Sequence, residues 1–461
     1  MSMEFWNTLT KKKETFKPIT KNQAGIYTCG PTVYDRAHIG NLRSYVFSDT
    51  LRRTLEYAGF KVKQIVNITD IGHLTSDADS GDDKMVKGLK REGLPLSLAG
   101  LKQLADKYEK LFKEDLEKLN IETADAFPRA TEYLPDEIAL VEELEKKGFA
   151  YGLPDGIYFN TGKLDGYGKL GGLTPAGEGR ARVESGEKKN PRDFVLWKLS
   201  QDEHLGFESK WGRGFPGWHI ECSAMSRKLL GQPFDIHTGG IDHIPVHHNN
   251  EIAQSEAAYG TPLANYWLHN EFLTLSDSKM AKSDGNIITL GALEEKGFSP
   301  LAYRYFLLLS HYRTQTSFSW EALKAAETAY RRIKEAIADI TESGGEISEI
   351  YKKEFKEAIE NDLNTPEALA VVWKLIKDEK LPPKDIRTTI LDFDRILGLK
   401  LDLNEFAIVE ISEEVKKLIE QREKAREEKN WEEADRLRRE IEKNGYFVED
   451  STRGPVLKML K

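Results

Sequence analysis

Residue types that bind metal ions are concentrated in one short stretch of the sequence. Five of the ten histidines and one of the two cysteines fall between residues 219 and 248: His219, Cys222, His237, His243, His247 and His248. The string HHNNE places His247 and Glu251 four residues apart, on one face of a helix. With Cys29 and Cys222 they form a Cys₂HisGlu set of the type that binds zinc. The sequence thus predicts a zinc site, with His248 as an alternative ligand; surface histidines and two buried, unreactive cysteines are the competing interpretation.

The loop from Pro31 to Asn41 is a candidate phosphate-binding site. It contains the string HIGN and leads from a predicted strand into the first turn of a predicted helix, where free backbone N–H groups favour phosphate. His38 can donate a hydrogen bond to a triphosphate, and Gly40 allows a base or ribose to approach the backbone. Taken alone, such a string is more often a histidine in a turn.

A pair of lysines in Lys279-Met-Ala-Lys282-Ser283 indicates chemistry on phosphate. Two ammonium groups can stabilise a pentavalent phosphorus and a departing pyrophosphate. Taken alone, a surface charge cluster is the better interpretation. Because this string follows the HIGN loop in chain order, after a βαβ pattern, the two strings together predict nucleotide binding and activation.

A zinc ion beside a nucleotide site would have a chemical use. Zinc coordinates a thiolate well and an alkoxide or methyl group poorly, so it can distinguish cysteine from serine or alanine when the substrate binds. Trp218 precedes Cys222 by four residues, so the two side chains share a helix face. Trp218 can therefore pack against a small substrate, although a tryptophan in the core is the more common case.

The elements that must position these residues follow a βαβ pattern. Residues 24–29 form a short apolar run, residues 41–58 have apolar side chains at helical spacing, and residues 61–69 are rich in β-branched side chains. The carboxyl ends of the strands are therefore the expected place for the chemistry. The HIGN loop follows the first of these strands.

In the rest of the chain the sequence pattern changes twice. A Gly-rich stretch with short strand patterns interrupts the sheet domain, and an entirely helical pattern follows it. We predict an α/β fold: a Rossmann-like parallel-sheet catalytic domain with an inserted connective domain, then an α-helical bundle and a small C-terminal domain. The predicted ranges are 1–125 and 210–320 for the two halves of the catalytic domain, 126–209 for the insertion, 321–400 for the bundle and 401–461 for the tail.

Composition excludes several classes of protein. With 39% hydrophobic residues, the chain of 461 residues can build several cores, so wholesale disorder is excluded. No apolar segment has the length of a signal peptide or a membrane span, and two distant cysteines suit a reducing compartment. We therefore expect a cytoplasmic protein with no membrane partner. The net charge of −9 argues against a broadly basic surface, but a local one can still bind RNA.

These motifs resemble those of the cysteinyl-tRNA synthetases, which are class I aminoacyl-tRNA synthetases. The matching strings run along nearly the whole chain: FWNTLT, YTCGPTVYDRAHIGN, NITD, PRAT, NPRDFVLWK, PGWHIECSAMS, FDIHTGGIDHIPVHHNNEIAQSE and KMAKSDGN. The strings GWHIECSAM and HHNNEIAQSE are highly specific. The resemblance implies that the chain activates L-cysteine with ATP and transfers it from the adenylate to the 3′ end of tRNA-Cys. It also implies one zinc ion per chain, Mg²⁺ with ATP, and a monomer.

The resemblance further implies roles for individual residues. The zinc ligands would be Cys29, Cys222, His247 and Glu251, the set that spacing also suggests. The ATP site would contain Thr32, His38, Gly40, Asn41, Gly240, Asp242, Lys282 and Ser283, with His38, Lys279 and Lys282 as the catalytic residues. The cysteine pocket would contain Thr69, Trp218 and His219. The tail would bind the anticodon through Arg426, Trp431, Asp435 and Asp450, although burial of Trp431 against a neighbouring helix is an equally simple interpretation.

Three features depart from the family pattern: Ala281 replaces a common serine, Asn249 replaces a common glutamate, and GHLTSDADSGDDKM follows NITD. None of them changes a predicted zinc ligand. Three other functions compete with the synthetase. A ligase that joins cysteine to an amino sugar would lack the tail, and a non-catalytic RNA-binding homologue would have lost motif residues. A small-molecule adenylyltransferase would leave the zinc set and the tail unexplained.

Overall fold

A computed structural model describes residues 3–71, 84–173, 188–200, 202, 205–275, 288–340, 342, 344–402, 413–444, 446–451 and 454–459. The chain forms two compact units, Met1–Asp402 and Leu403–Lys461. Within the described residues, no helix combines the length and the apolar character needed to cross a membrane.

The first unit is built on a parallel sheet of four strands. An N-terminal hairpin of β1 (Glu4–Asn7) and β2 (Lys12–Thr15) precedes it, and the sheet strands are β3 (Gln23–Thr28), β4 (Lys61–Val66), β9 (Phe234–Gly240) and β10 (Ala264–Asn270), in the order β10-β9-β3-β4. Successive side chains of β3 point to opposite faces, so Ala24 and Ile26 pack into one core and Tyr27 into another. The predicted parallel sheet is confirmed.

Helix α1 (Ile39–Tyr57) connects β3 to β4, while the return from β9 to β10 passes through α6 (Asn249–Tyr259). Because these two connections leave the central pair β3 and β9 in opposite directions along the sheet, the strand order reverses between them. A crevice at the carboxyl ends of such a pair is the usual binding site in open α/β sheets.

The segment between β4 and β9 is a mixture of helices and an antiparallel sheet. Helices α2 (Lys84–Glu92), α3 (Leu98–Lys118) and α4 (Leu134–Lys146) lead into strands β5 (Ala150–Leu153), β6 (Gly156–Phe159), β7 (Phe194–Leu199) and β8 (Gly214–Pro216), which are adjacent in that order. Helix α5 (Trp218–Leu230) then returns the chain to β9. Strands β5, β6 and β7 lie within the predicted insertion, 126–209, whereas β8 lies beyond it. The domain boundaries remain a prediction.

The rest of the first unit and the second unit consist mainly of helices. The first unit continues with β11 (Leu273–Leu275), α7 (Leu290–Glu295), α8 (Pro300–Leu308), β12 (Thr316–Phe318), α9 (Trp320–Ala338), α10 (Glu349–Glu360), α11 (Thr365–Ile376) and α12 (Pro383–Leu397). The second unit contains α13 (Glu413–Glu427), α14 (Trp431–Lys443) and an antiparallel pair, β13 (Tyr446–Ser451) and β14 (Gly454–Met459). Val415, Ile441 and Val448 form its small core.

A fully buried arginine joins the sheet region to the helical region. Arg304 of α8 forms an ion pair with Asp49 of α1 and donates hydrogen bonds to the carbonyls of Leu397 (2.7 Å) and Leu119 (3.0 Å). The sequence did not reveal this role, because an arginine with helical neighbours is normally exposed.

We expect Arg304→Ala to destabilise the protein by about 3–5 kcal/mol, because it leaves buried acceptors and a buried charge without their partner. The matched control is Arg395→Ala, which removes an exposed arginine whose guanidinium lies 3.2 Å from Asp392. Such a pair contributes about 0–1 kcal/mol. Urea unfolding measures both variants, and equal losses of stability would contradict the assignment.

Candidate functional site

The four predicted metal ligands converge from three segments of the chain. Cys29 directly follows β3, and Cys222 lies on α5. His247 lies in the turn that precedes α6, and Glu251 lies in the first turn of α6. All four side chains are buried. One potential ligand atom from each lies within 4.8 Å of the others. The structure thus brings Cys29 together with Glu251, which lies more than two hundred residues later in the sequence.

A second group of four overlaps the first. Cys29, His237, His248 and Glu251 also offer ligand atoms within 4.8 Å of one another. The Nε2 atom of His237 lies 2.7 Å from Glu251 Oε2, and that of His248 lies 3.2 Å from Cys29 Sγ. His248 was predicted as an alternative ligand, whereas His237, which is contributed by β9, was noted in the histidine-rich stretch but was not predicted as a ligand.

The two groups differ in how their histidines are supported. His247 Nδ1 lies 2.9 Å from Nδ1 of His219, and the ring of Trp218 packs on His247 with centroids 4.5 Å apart. His237 Nδ1 is buried, and none of the described residues gives it a hydrogen-bond partner. A histidine that binds a metal generally has a partner at its second nitrogen. His247 has one, and so does His248, whose Nδ1 lies 2.7 Å from His269 Nε2, but His237 has none among the described residues.

The turn that carries the histidines is wider than a turn of a regular α-helix. Residues Ile244–His248 form a π-helical turn, where the spacing had predicted an ordinary helix. In this turn both His247 and His248 approach the same carboxylate oxygen, with Nε2 atoms 3.0 and 3.9 Å from Glu251 Oε1. Single π-helical turns next to or within α-helices are found frequently at functional sites.

The charges in this cluster suit a divalent cation. Burial opposes ionisation of Glu251, but His237 and His247 lower the pKa of its carboxyl well below the usual range. Burial likewise opposes protonation of His247, but Glu251 raises the pKa of that histidine to about 10. Burial raises the pKa of Cys29, whereas a hydrogen bond with Cys29 lowers the pKa of Cys222. The Glu251 carboxylate is thus paired with His247, and a divalent cation that replaced the His247 proton would meet an imidazole, a carboxylate and two thiols, a donor set that fits zinc.

The predicted phosphate loop enters α1 through a reciprocal cap. His38 Nδ1 accepts a hydrogen bond from the backbone N–H of Asn41 (3.2 Å), and Asn41 Oδ1 accepts one from the backbone N–H of His38 (3.3 Å). Partial desolvation lowers the pKa of His38, and the carboxylate of Asp242 opposes this shift. A side-chain atom added at Gly40 would meet the His38 ring at 3.0 Å. The loop therefore has the predicted helix N-terminus, but Nδ1 of its histidine is used for capping.

The loops after β3 and β4 run side by side. Thr69 donates its backbone N–H to the carbonyl of Pro31 at 3.0 Å, and Thr32 pairs with Thr69 as in a parallel bridge. A Cβ atom at Gly30 would lie 1.5 Å from the Asn67 carbonyl, so only glycine fits there. This close approach brings predicted ATP-site and cysteine-pocket residues into one place.

Thr69 is buried, and its hydroxyl donates a hydrogen bond to Glu221 Oε2 at 2.7 Å. Gly240 ends β9, and a Cβ there would lie 2.2 Å from Oδ1 of Asp242, whose side chain is exposed at the carboxyl end of the sheet. The structure thus places Thr69, Gly240 and Asp242 at the carboxyl ends of β4 and β9. Lys279, Lys282 and Ser283 lie outside the described residues, as do Ala281 and the acidic segment from Asp77 to Asp83.

Comparisons with known proteins agree with this arrangement. Residues 15–328 match the family described as tRNA synthetases class I (C) catalytic domain. Residues 354–379 match the DALR domain, and residues 409–454 match the cysteinyl-tRNA ligase anticodon binding domain. A protein of Burkholderia lata named cysteine–tRNA ligase 1 is 46% identical over 459 residues, covering 98% of this chain and 96% of the relative.

The chain belongs to the cysteinyl-tRNA synthetase family. A cysteine–tRNA ligase of Treponema denticola is also 44% identical over 487 residues, with 98% of each chain covered. This synthetase is therefore an ATP-dependent ligase that aminoacylates tRNA, as the sequence predicted. The solved structure of Mycobacterium tuberculosis methionyl-tRNA synthetase bound by methionyl-adenylate shares the fold, with a TM-score of 0.55, 17% identity, and coverage of 82% of this chain and 90% of that one.

The tryptophan in the tail of this synthetase is exposed to solvent. Trp431 is 59% exposed at the first position of α14, so the alternative of a tryptophan buried against a neighbouring helix is wrong. Asp435 is exposed one turn later, and Arg426 is half-buried near the end of α13, 3.9 Å from Glu423. Asp450 lies in β13. The contacts of these four residues with an anticodon remain a prediction.

One departure from the family pattern has a structural role in this synthetase. The Asn249 amide donates to the carbonyls of Ile244 (2.7 Å) and Gly171 (3.0 Å), and its oxygen accepts from the N–H of Leu170 (3.1 Å). The side chain thus ties the π-helical turn to the segment before residue 173. A glutamate could not donate these bonds when ionised.

Sequence reasoning missed four residues around the metal-binding cluster: Thr8, Asn67, Glu221 and His269. It included His237 in the histidine-rich stretch but did not predict it as a ligand. Asn67 Oδ1 accepts from the N–H of Gly30 at 2.8 Å, and His269 Nε2 lies 2.7 Å from His248 Nδ1. The register of β9 and β10, which pairs His269 with Gly239, would have placed His269 beside the site. That register is not readable from one sequence.

Proposed function

We propose that this synthetase joins L-cysteine to tRNA-Cys in two steps and selects its amino acid by the thiol. The observation that carries the proposal is the convergence of Cys29, Cys222, His247 and Glu251 next to the loop that enters α1. Zinc bound by these side chains supplies a Lewis acid for which a thiolate is a far better ligand than a hydroxyl or methyl group. Discrimination against serine then occurs at binding.

Two features favour this ligand set over the group that contains His237 and His248. It provides two thiols instead of one, and thiolates are strong zinc ligands. In addition, the one histidine of this set has a partner at its second nitrogen, His219, whereas only His248 of the two histidines in the other group has one among the described residues. We therefore assign Cys29, Cys222, His247 and Glu251 as the ligands, and His219 as the partner that orients His247.

Thr69 and Trp218 bind the rest of the cysteine. The Thr69 hydroxyl donates its proton to Glu221, so its oxygen retains a lone pair that can accept from the substrate ammonium group. Trp218 is half-buried and packs on His247, which places an aromatic face beside the proposed zinc site.

ATP binds along the loop and the carboxyl end of β9. Because His38 Nδ1 accepts from Asn41, the neutral ring carries its proton on Nε2, which can donate to a phosphate oxygen. Thr32, Gly40 and Asn41 border the triphosphate, and Gly240 and Asp242 border the ribose. Lys279, Lys282 and Ser283 complete the phosphate site, and Mg²⁺ accompanies ATP.

In the first step the cysteine carboxylate attacks the α-phosphate, and pyrophosphate leaves. His38 and the two lysines stabilise the charge that develops on the phosphate oxygens. In the second step a terminal ribose hydroxyl of the tRNA attacks the adenylate carbonyl, and AMP leaves. Positioning of the two reactants contributes most to this step.

Pyrophosphate exchange with each of the twenty amino acids tests the proposal. We expect exchange with cysteine alone, because serine and alanine lack the thiol, and one zinc ion per chain after chelator treatment and repurification. A tRNA-charging assay excludes the amino-sugar ligase. Exchange with a different amino acid, or protein that retains no zinc, would contradict the thiol-selection mechanism.

We also propose a monomer in the cytoplasm. Cys29 and Cys222 are free thiols in this structure, as a reducing compartment would keep them. Light scattering of the purified synthetase measures the oligomeric state directly, and a mass twice that of the 52.4 kDa chain would contradict the proposal.

A further inference from the structure

A chain of hydrogen bonds connects the N-terminal hairpin to the metal-binding cluster. Thr8 Oγ1 lies 2.8 Å from His269 Nδ1, His269 Nε2 lies 2.7 Å from His248 Nδ1, and His248 Nε2 lies 3.2 Å from Cys29 Sγ. His248 and His269 are buried. The function described above uses neither of these histidines, nor Thr8.

The hairpin holds Thr8 firmly in place. The Thr8 backbone N–H donates to the carbonyl of Trp267 at 2.8 Å, and the Asn7 amide donates to the carbonyl of Asn265 at 3.0 Å. The N–H of Trp267 in turn donates to Asn7 Oδ1 at 3.1 Å. Both ends of the contact between Thr8 and His269 are therefore fixed on β10.

The direction of the hydrogen bonds follows from the chemistry of the last atom. A neutral imidazole has one N–H and one bare nitrogen, so two linked imidazoles must pass their protons in the same direction. If Cys29 is a metal-bound thiolate, its sulfur has no proton and can only accept. His248 Nε2 must then carry a proton, His248 Nδ1 must accept from His269 Nε2, and His269 Nδ1 must accept from the Thr8 hydroxyl.

We propose that Thr8 and His269 are positioning residues that hold His248 as an N–H donor to the Cys29 sulfur. The N-terminal hairpin then belongs to the metal centre, although it precedes residue 15, where the match to the catalytic family begins. The inference rests on the proposed ligand set, in which His248 is not a ligand. The opposite direction would leave His248 Nε2 bare and make it a ligand.

The test compares four variants of the full-length zinc-loaded synthetase. Thr8→Val and His269→Phe interrupt the chain, Thr8→Ser retains the hydroxyl, and Thr10→Val removes the hydroxyl of an exposed threonine in the same turn. The first measurement is the rate of zinc transfer to a coloured chelator. The second is the sulfur-to-metal absorption band of the cobalt-substituted protein, which reports on the thiolate and not on folding.

We expect Thr8→Val and His269→Phe to lower metal affinity by about tenfold to a hundredfold, as is usual when an outer partner of a ligand is lost. Their absorption band should move to longer wavelength, because a sulfur without its N–H partner donates electrons more readily. Thr8→Ser and Thr10→Val should behave as the parent protein does.

Unchanged zinc release and an unchanged band in both interrupting variants would overturn the inference. A change in His269→Phe alone would overturn the role of Thr8, and equal changes in Thr8→Val and Thr8→Ser would show packing rather than hydrogen bonding. These results differ from a failure of the proposed function, in which the parent protein itself would bind neither zinc nor cobalt at this site.

Discussion

Cys222→Ser should lose bound zinc and with it the activation of cysteine. A serine hydroxyl remains protonated near neutral pH and is a poor zinc ligand, whereas a cysteine thiolate is a strong one. We expect the fall in kcat/KM for cysteine-dependent pyrophosphate exchange to exceed the roughly hundredfold upper range for loss of an outer partner. Metal analysis of the purified variant and the exchange assay measure the two effects.

Ala224→Ser is the matched control for Cys222→Ser. It introduces the same hydroxyl two residues later on α5, at another buried position, without removing a proposed ligand. This variant should retain its zinc and most of its exchange activity. If Cys222→Ser keeps full zinc and full cysteine affinity, Cys222 is not a ligand, and the group with His237 and His248 becomes the metal site.

The sequence contained enough information to predict the four proposed ligands but not their surroundings. The spacing of His247 and Glu251 is a local property, and two cysteines leave few choices for the remaining ligands. By contrast, the contacts of His237 and His269 depend on the register of β9 and β10 and on the packing of the hairpin. Those contacts are tertiary, so periodicity and spacing could not predict them.

For the fold too, local features were predictable from the sequence and features that depend on tertiary contacts were not. The βαβ pattern predicted β3, α1 and β4, because apolar periodicity follows directly from which face is buried. The π-helical turn at Ile244–His248 was not predicted, since a turn with one additional residue has no signature in hydrophobic spacing. Arg304 was missed for a related reason: its burial depends on α1 and α12, which are distant in sequence.

Removing the second unit should separate the two steps of the reaction. A chain ending at Asp402 should keep cysteine-dependent pyrophosphate exchange, because every residue proposed for activation lies before that point. The hydrophobic cores of the first unit also contain no described residue beyond Leu401. Charging of tRNA should fall on the order of a hundredfold or more, since all proposed anticodon contacts are lost at once.

Trp431→Ala tests the same idea within the intact chain. Stacking of one base on an exposed aromatic side chain is worth about 1–3 kcal/mol, so the KM for tRNA should rise by roughly tenfold to a hundredfold. The KM values for ATP and cysteine should not change.

Two control variants accompany Trp431→Ala. Trp431→Phe should recover most of the tRNA affinity because it keeps an aromatic face. Ile350→Ala should have no effect, because it removes an exposed apolar side chain from the first unit. If both the truncated chain and Trp431→Ala charge tRNA normally, the tail has no part in tRNA recognition. If exchange also collapses on truncation, the tail is needed for stability and only the point variants decide.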